Sequence, residues 1–188
     1  MTDEWPVVES VAEYETGWYT GGYDRVVQPD GSEKNYYWAA LPPAVVVVAV
    51  DDGDVVFVDQ YRPAVREQCL ELPAGIVEDA DAGNPQADGV TTEAFEAAGA
   101  RELREETGFR ADDVTLLASF WAATGVLRHR RGIVVAEGLT PGDPDHDGNE
   151  FLTVERVPVE DALAVAREPP ANDATIEGLL LASADGYL

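Results

Sequence analysis

Ala44 to Val50 is an unbroken apolar run with four successive valines, and it constrains the fold more than any other stretch of the chain. It is the longest such run, yet it falls far short of the roughly 20 residues that a membrane span requires. Its β-branched composition predicts a strand. Asp54–Gln60 is a second β-branched run, and Asp51-Asp52-Gly53 between them is a hairpin signal. Leu116–Ala122 and Gly132–Leu139 read as further buried strands, and Phe151–Val157 alternates as another. Leu70–Gly75 reads as a short strand ending in a turn.

Helical signals separate these strands. The spacing predicts a helix over Glu93–Thr107, with Thr92 as its N-cap and Gly108 as the residue that ends it. Val159–Arg167 is a second helix, stopped by Pro169-Pro170, and Asp173–Ala184 a third with Asp173 as its cap. Glu78–Thr92 and Pro141–Asn149 are acidic stretches without periodicity and read as surface loops. Mixed strands flanked by a few helices place the chain in the α/β class, in its mixed α+β form.

Residues 1–40 stand apart from the domain expected over 41–188. They hold half of the chain's aromatic residues: Trp5, Tyr14, Trp18, Tyr19, Tyr23, Tyr36, Tyr37 and Trp38. Pro29-Asp30-Gly31 marks a turn between two extended pieces. So short a segment cannot bury those rings alone, so it must pack on the main domain or on a second subunit.

Charge narrows the partners. The formal net charge is −25. Nucleic acid is therefore an unexpected partner, because phosphate binding needs a basic footprint, and an anionic membrane surface is equally unexpected. Lys34 is the only lysine among the 12 basic residues. An acidic, lysine-poor surface resembles that of proteins from salt-in halophiles, where molar salt shrinks the Debye length to about 3 Å and screens self-repulsion. Cys69, the single cysteine, excludes an internal disulfide and reads as a small core residue. Met1-Thr2-Asp3-Glu4-Trp5 has neither a basic start nor an apolar signal segment, so a cytoplasmic location is expected.

The chemistry lies in Arg101-Glu102-Leu103-Arg104-Glu105-Glu106-Thr107-Gly108-Phe109. On a helix, Glu102 and Glu106 stand one turn apart on one face, and Glu105 flanks the same stripe. Arg101 precedes Glu105 by four residues and can orient it. Glu93 lies about two and a half turns earlier and can join only if the chain bends inward. Carboxylates converging on one point repel unless a cation neutralises them, and hard oxygen donors suit Mg²⁺ or Mn²⁺.

Glu93, then seven residues, then Arg-Glu-Leu-x-Glu-Glu-x-Gly-Phe resembles the signature of the Nudix hydrolases. Gln60-Tyr61-Arg62-Pro63, Leu70-Glu71-Leu72-Pro73-Ala74-Gly75 and Asp173-Ala174-x-Ile176 resemble the ADP-ribose pyrophosphatase branch of that family. The resemblance implies a mixed β-sheet sandwiched between helices, and a homodimer that exchanges its aromatic N-terminal strands. It further implies that Glu102, Glu106 and the backbone carbonyl of Ala74 bind metal and that Glu105 is a further ligand or orients the attacking water. Arg101 would hold the carboxylates, and Arg62 would contact a nucleotide-sugar substrate. The implied reaction splits, as first choice, ADP-ribose into AMP and ribose 5-phosphate; the alternatives are hydrolysis of another nucleotide sugar or a nucleoside triphosphate, or a non-catalytic nucleotide-sugar sensor.

Three departures from that pattern carry expectations of their own. Ala87 stands where the signature has its leading glycine; Gly75 is the counterpart, which leaves about twelve extra residues ahead of the helix, expected to form a surface loop. Thr124 replaces a proline of the branch, and His129 stands where a loop glutamate belongs. The candidate bases are therefore His129, Glu105, Asp143, Asp145, Asp147 and Glu150. Finally, Arg128, Arg130 and Arg131 cluster around His129, and guanidinium forks match phosphate oxygens. His146 is expected to be exposed and silent.

Overall fold

The computed structural model describes residues 4–82, 89–145 and 151–188. In chain order the elements are β1 (Val7–Glu15), β2 (Thr20–Val27), β3 (Glu33–Ala40), β4 (Ala44–Asp51), β5 (Asp54–Arg62), β6 (Glu67–Glu71), β7 (Ala74–Ile76), α1 (Asp79–Ala82), α2 (Thr92–Thr107), β8 (Asp113–Trp121), β9 (Leu127–Arg128), β10 (Arg130–Glu137), β11 (Leu152–Pro158), α3 (Val159–Ala166) and α4 (Asp173–Ala184). The main sheet has the order β11-β5-β4-β10-β8, with β6 added to β5 and β7 to β4. It is mixed: β10 runs parallel to β4, and β8 antiparallel to β10.

The valine run sits at its centre because both faces of β4 are covered. Val45, Val47 and Ala49 pack with Phe95, Ala98 and Leu103 of α2. Val46 and Val48 pack on the opposite face with Ala162 of α3 and Leu179 and Ala182 of α4. A strand covered on both sides needs no polar alternation, which is why the sequence shows none.

β4 changes partner along its length, and that change builds the site. Its first residues pair with β7, Ala44 opposite Ile76 and Val46 opposite Ala74; its last pair with β5. β6 pairs instead with β5, Val58 opposite Glu71. The chain thus crosses from one neighbour to the other at Leu72-Pro73. The single strand expected over Leu70–Gly75 is two strands. Pro73 has no N–H to give a ladder, but its carbonyl accepts the Val47 amide at 2.9 Å.

Two helix caps fall one residue earlier than the sequence suggests. Thr91, with extended backbone, accepts the Ala94 amide and starts α2. Asn172 accepts the Thr175 amide at 2.7 Å and starts α4. Gly108 ends α2 in the left-handed region, at φ 78°, as expected. The stretch expected to be loop from Glu78 opens with the short α1. Ala87, His146, Asp147 and Glu150 lie outside the described residues.

β1, β2, β3 and β9 form a second, four-stranded sheet. Tyr23 and Tyr37 meet edge to face there, and the Arg128 guanidinium lies 4.0 Å from the Trp38 ring centre. Trp18 and Tyr37 remain exposed. Cys69 is buried, and burial pushes its thiol pKa up. Among the described residues no helix is long and apolar enough to cross a membrane.

Candidate active site

Helix α2 turns Phe95, Ala98 and Leu103 into the core, and the same face carries Glu102 and Glu106 down beside β7. Both carboxylates are buried, at 7% and 4% exposure. The Ala74 amide donates to Glu106 Oε2 at 3.0 Å. A Cβ built on Gly75 would overlap the Glu102 carboxylate. Glycine thus leaves the Glu102 carboxylate its place where helix and strand approach each other.

Arg101 holds the array. Its Nη1 donates to Glu102 Oε1 at 2.9 Å and to Glu105 Oε2 at 3.0 Å, and its Nη2 to the Ile76 carbonyl at 2.8 Å. Nη2 also reaches Asp81 Oδ2 at 3.0 Å. Burial opposes the guanidinium's charge, but the surrounding Asp81, Glu102 and Glu105 outweigh it and hold its pKa above the ordinary value. Arg104 donates to the other oxygen of Glu105 at 2.9 Å. Asp81 was not legible as a site residue: α1 belongs to the stretch expected to be a loop. Glu93 stays exposed in the first turn of α2.

Across β7, a pocket of about 250 Å³ is lined by Arg62, Glu71, Ala74, Arg131, Asn172 and Thr175, among others. Arg62 and Arg131, expected from the sequence to touch substrate, meet there. Ala74 touches both halves of the site: it lines this pocket and bonds Glu106. Arg131 Nη1 is held at 3.2 Å from Asp173 and 3.1 Å from Glu177.

The rest of the basic cluster disperses. Arg128 leaves toward the N-terminal sheet, where it pairs with Asp24. Arg130 donates to Ser119 Oγ at 3.0 Å and lies over Trp121. His129 Nδ1 bonds the Pro42 carbonyl at 2.7 Å. A carbonyl only accepts, so Nδ1 carries the proton and the neutral ring presents a lone pair at Nε2. Burial pushes the ring's pKa down, Arg131 adds to that, and the Pro42 bond and Asp173 oppose it. Asp145 donates its backbone amide to the Glu105 carbonyl at 3.0 Å, which ties Asp145 to the end of α2.

Among the described residues no three His, Cys, Asp or Glu side chains gather into a complete metal cluster. Two buried carboxylates beside a main-chain strand are nonetheless a donor set that fits a hard divalent cation. Such ions take few protein ligands and complete their shell with water and substrate phosphate.

The NUDIX domain profile matches residues 40–179, which include every residue of this arrangement. The chain belongs to the Nudix family. It is a Nudix hydrolase, of a family whose members generally need a divalent metal. It is 30% identical over 154 residues to the ADP-ribose pyrophosphatase of Bacillus subtilis, covering 80% of this chain and 77% of that protein. To the ADP-ribose pyrophosphatase of Mycobacterium tuberculosis it is 33% identical over 141 residues, covering 73% and 63%. A crystal structure titled as an ADP compounds hydrolase superimposes with a TM-score of 0.81 over 99% of this chain and 98% of that one, at 22% identity, and so shares the Nudix fold.

Proposed function

We propose that the chain hydrolyses the pyrophosphate bond of ADP-ribose, releasing AMP and ribose 5-phosphate. The observation that carries this reading is the two-sided site: paired carboxylates on one side of β7 and an arginine-lined pocket on the other, joined through Ala74. The likeness to two ADP-ribose pyrophosphatases supports the choice of substrate.

Glu102, Glu106 and the Ala74 carbonyl would hold Mg²⁺ or Mn²⁺. That ion would neutralise the carboxylates and polarise the scissile phosphate. Arg62 and Arg131 bind the phosphate oxygens with charge-assisted hydrogen bonds. Glu105, fixed by Arg101 and Arg104, takes the proton from the attacking water; His129, with Nε2 unprotonated, is the second candidate. The water adds to one phosphorus, the bridging P–O bond breaks, and the leaving phosphate departs with the other product.

The exposed aromatic N-terminal sheet supports a homodimer that covers Trp18 and Tyr37 with a second copy. The acidic, lysine-poor surface supports activity in high salt, and the single free Cys69 suits a cytoplasmic site of action. Hydrolysis of ADP-ribose, UDP-glucose, GDP-mannose, a diadenosine polyphosphate and nucleoside triphosphates, in high KCl with Mg²⁺ or Mn²⁺, tests the reading. Preferred release of AMP and ribose 5-phosphate from ADP-ribose supports it, whereas faster cleavage of another substrate overturns the assignment.

A further inference from the structure

Glu71 is nearly buried and sits between two elements far apart in sequence. Its Oε2 accepts Arg62 Nε at 2.7 Å and lies 2.5 Å from Nη2. Its Oε1 accepts Asn172 Nδ2 at 2.8 Å. Asn172 is also the cap of α4, spending its Oδ1 on the Thr175 amide. The two ends of one amide side chain are therefore committed to different tasks: the oxygen starts the helix and the nitrogen fixes the carboxylate that aims Arg62. Thr175 locks the same turn onto the strand crossing, its hydroxyl accepting the Leu72 amide at 3.1 Å.

The other wall of the pocket is built from the same helix. Asp173 and Glu177 back Arg131, whose side chain is 14% exposed against 67% and 42% for its partners. The first turns of α4 thus support both arginines, one through Glu71 and one directly. Guanidiniums backed by carboxylates are held in one orientation where they line the pocket. The planar fork then meets an anionic oxygen pair without first ordering itself.

We infer that Asn172 is a positioning residue for substrate: through Glu71 it sets the angle of Arg62 on the substrate's phosphates, opposite Arg131. The inference rests on the pyrophosphatase reading. It extends that reading to a residue on another element, at the start of α4.

Asn172→Asp separates the two tasks. Asp caps a helix as well as Asn does, so the bond to Thr175 survives. The donor to Glu71 is lost, however, and a carboxylate takes its place. KM for ADP-ribose should rise about tenfold, the loss of one charge-assisted hydrogen bond, with kcat changed less than about threefold and the melting temperature lower by some degrees, because the new carboxylate faces that of Glu71. Combined with Arg62→Ala, Asn172→Asp should add nothing to the KM of Arg62→Ala alone, because both act on one contact.

Glu71→Gln, which keeps the shape but weakens the grip on Arg62, should raise KM in the same sense and serves if Asn172→Asp folds poorly. A wild-type KM in Asn172→Asp, or KM effects that multiply in the double variant, would overturn the inference while leaving the activity standing. If wild type prefers another substrate of the panel, the same comparison is made on that substrate. A wild type that neither cleaves nor binds any of them overturns both readings before a variant is made.

Discussion

Gly75 and Glu102 meet so closely that strand β7 has no room for a side chain where the helix presents its carboxylate. What a Cβ would strike is the far end of a flexible side chain, which can swing away at small cost to the fold. Gly75→Ala should therefore keep most of its stability but displace Glu102. We expect kcat to fall by about 10²-fold or more, since metal and phosphate geometry tolerates little misplacement. The melting temperature should fall by only a few degrees. Steady-state kinetics and thermal unfolding on the same preparation check this, and a fully active Gly75→Ala would show that Glu102 is not needed where it stands.

Arg101 joins Glu102, Glu105 and Asp81, so its removal takes one shared cation from three carboxylates. Arg101→Gln should lose about 3 kcal/mol of stability, the low end for breaking a buried ion pair, because Glu105 is partly exposed. Arg101→Lys should recover part of that but not the activity, because one ammonium cannot span the fork. Denaturant unfolding in high KCl gives the first number and kcat the second.

Much of this pair of effects is readable from Arg101 to Glu106 alone, because α2 is a local structure and 3.6-residue spacing determines which side chains share a face. Asp81 is not readable in that way. Its link to Arg101 depends on where α1 docks, and four residues carry no periodicity. Long-range pairings were equally hidden: Glu71 with Asn172 and Arg128 with Asp24 join residues 101 and 104 apart. The basic cluster shows the same limit most sharply. Arg128, Arg130 and Arg131 are neighbours in sequence, but strand alternation and the break between β9 and β10 send them to three different surroundings. The valine run was legible as a strand, whereas its change of partner was not, since Leu72-Pro73 looks like continuous strand until the sheet is assembled.

His129 makes stability depend on pH. Its folded pKa lies below the ordinary 6.5, so between those two values the unfolded chain binds more protons than the folded one. Stability therefore rises with pH through that window and is lost as pH falls below about 6.5. His129→Gln should flatten this part of the profile. The difference between wild-type and variant melting temperatures from pH 7.5 to 5.5 isolates the contribution of His129 from that of the many carboxylates. Equal slopes would place His129 in a more solvated setting.

Thr175 is 2% exposed and accepts the Leu72 amide at the strand crossing. Thr175→Val fills the same space but leaves a buried N–H without its acceptor, at a cost of about 1–3 kcal/mol. Denaturant unfolding should show that loss, and because the crossing positions β7, kcat should drop with it.

The most direct measurement is ADP-ribose hydrolysis by wild type and Glu106→Gln, in high KCl with Mg²⁺, with products identified. The substitution keeps the bond from Ala74 but removes a charge. The account predicts AMP and ribose 5-phosphate from wild type, and a loss of at least about 10²-fold in kcat in a variant that still folds. An active Glu106→Gln, or a folded wild type that leaves ADP-ribose intact, would contradict it.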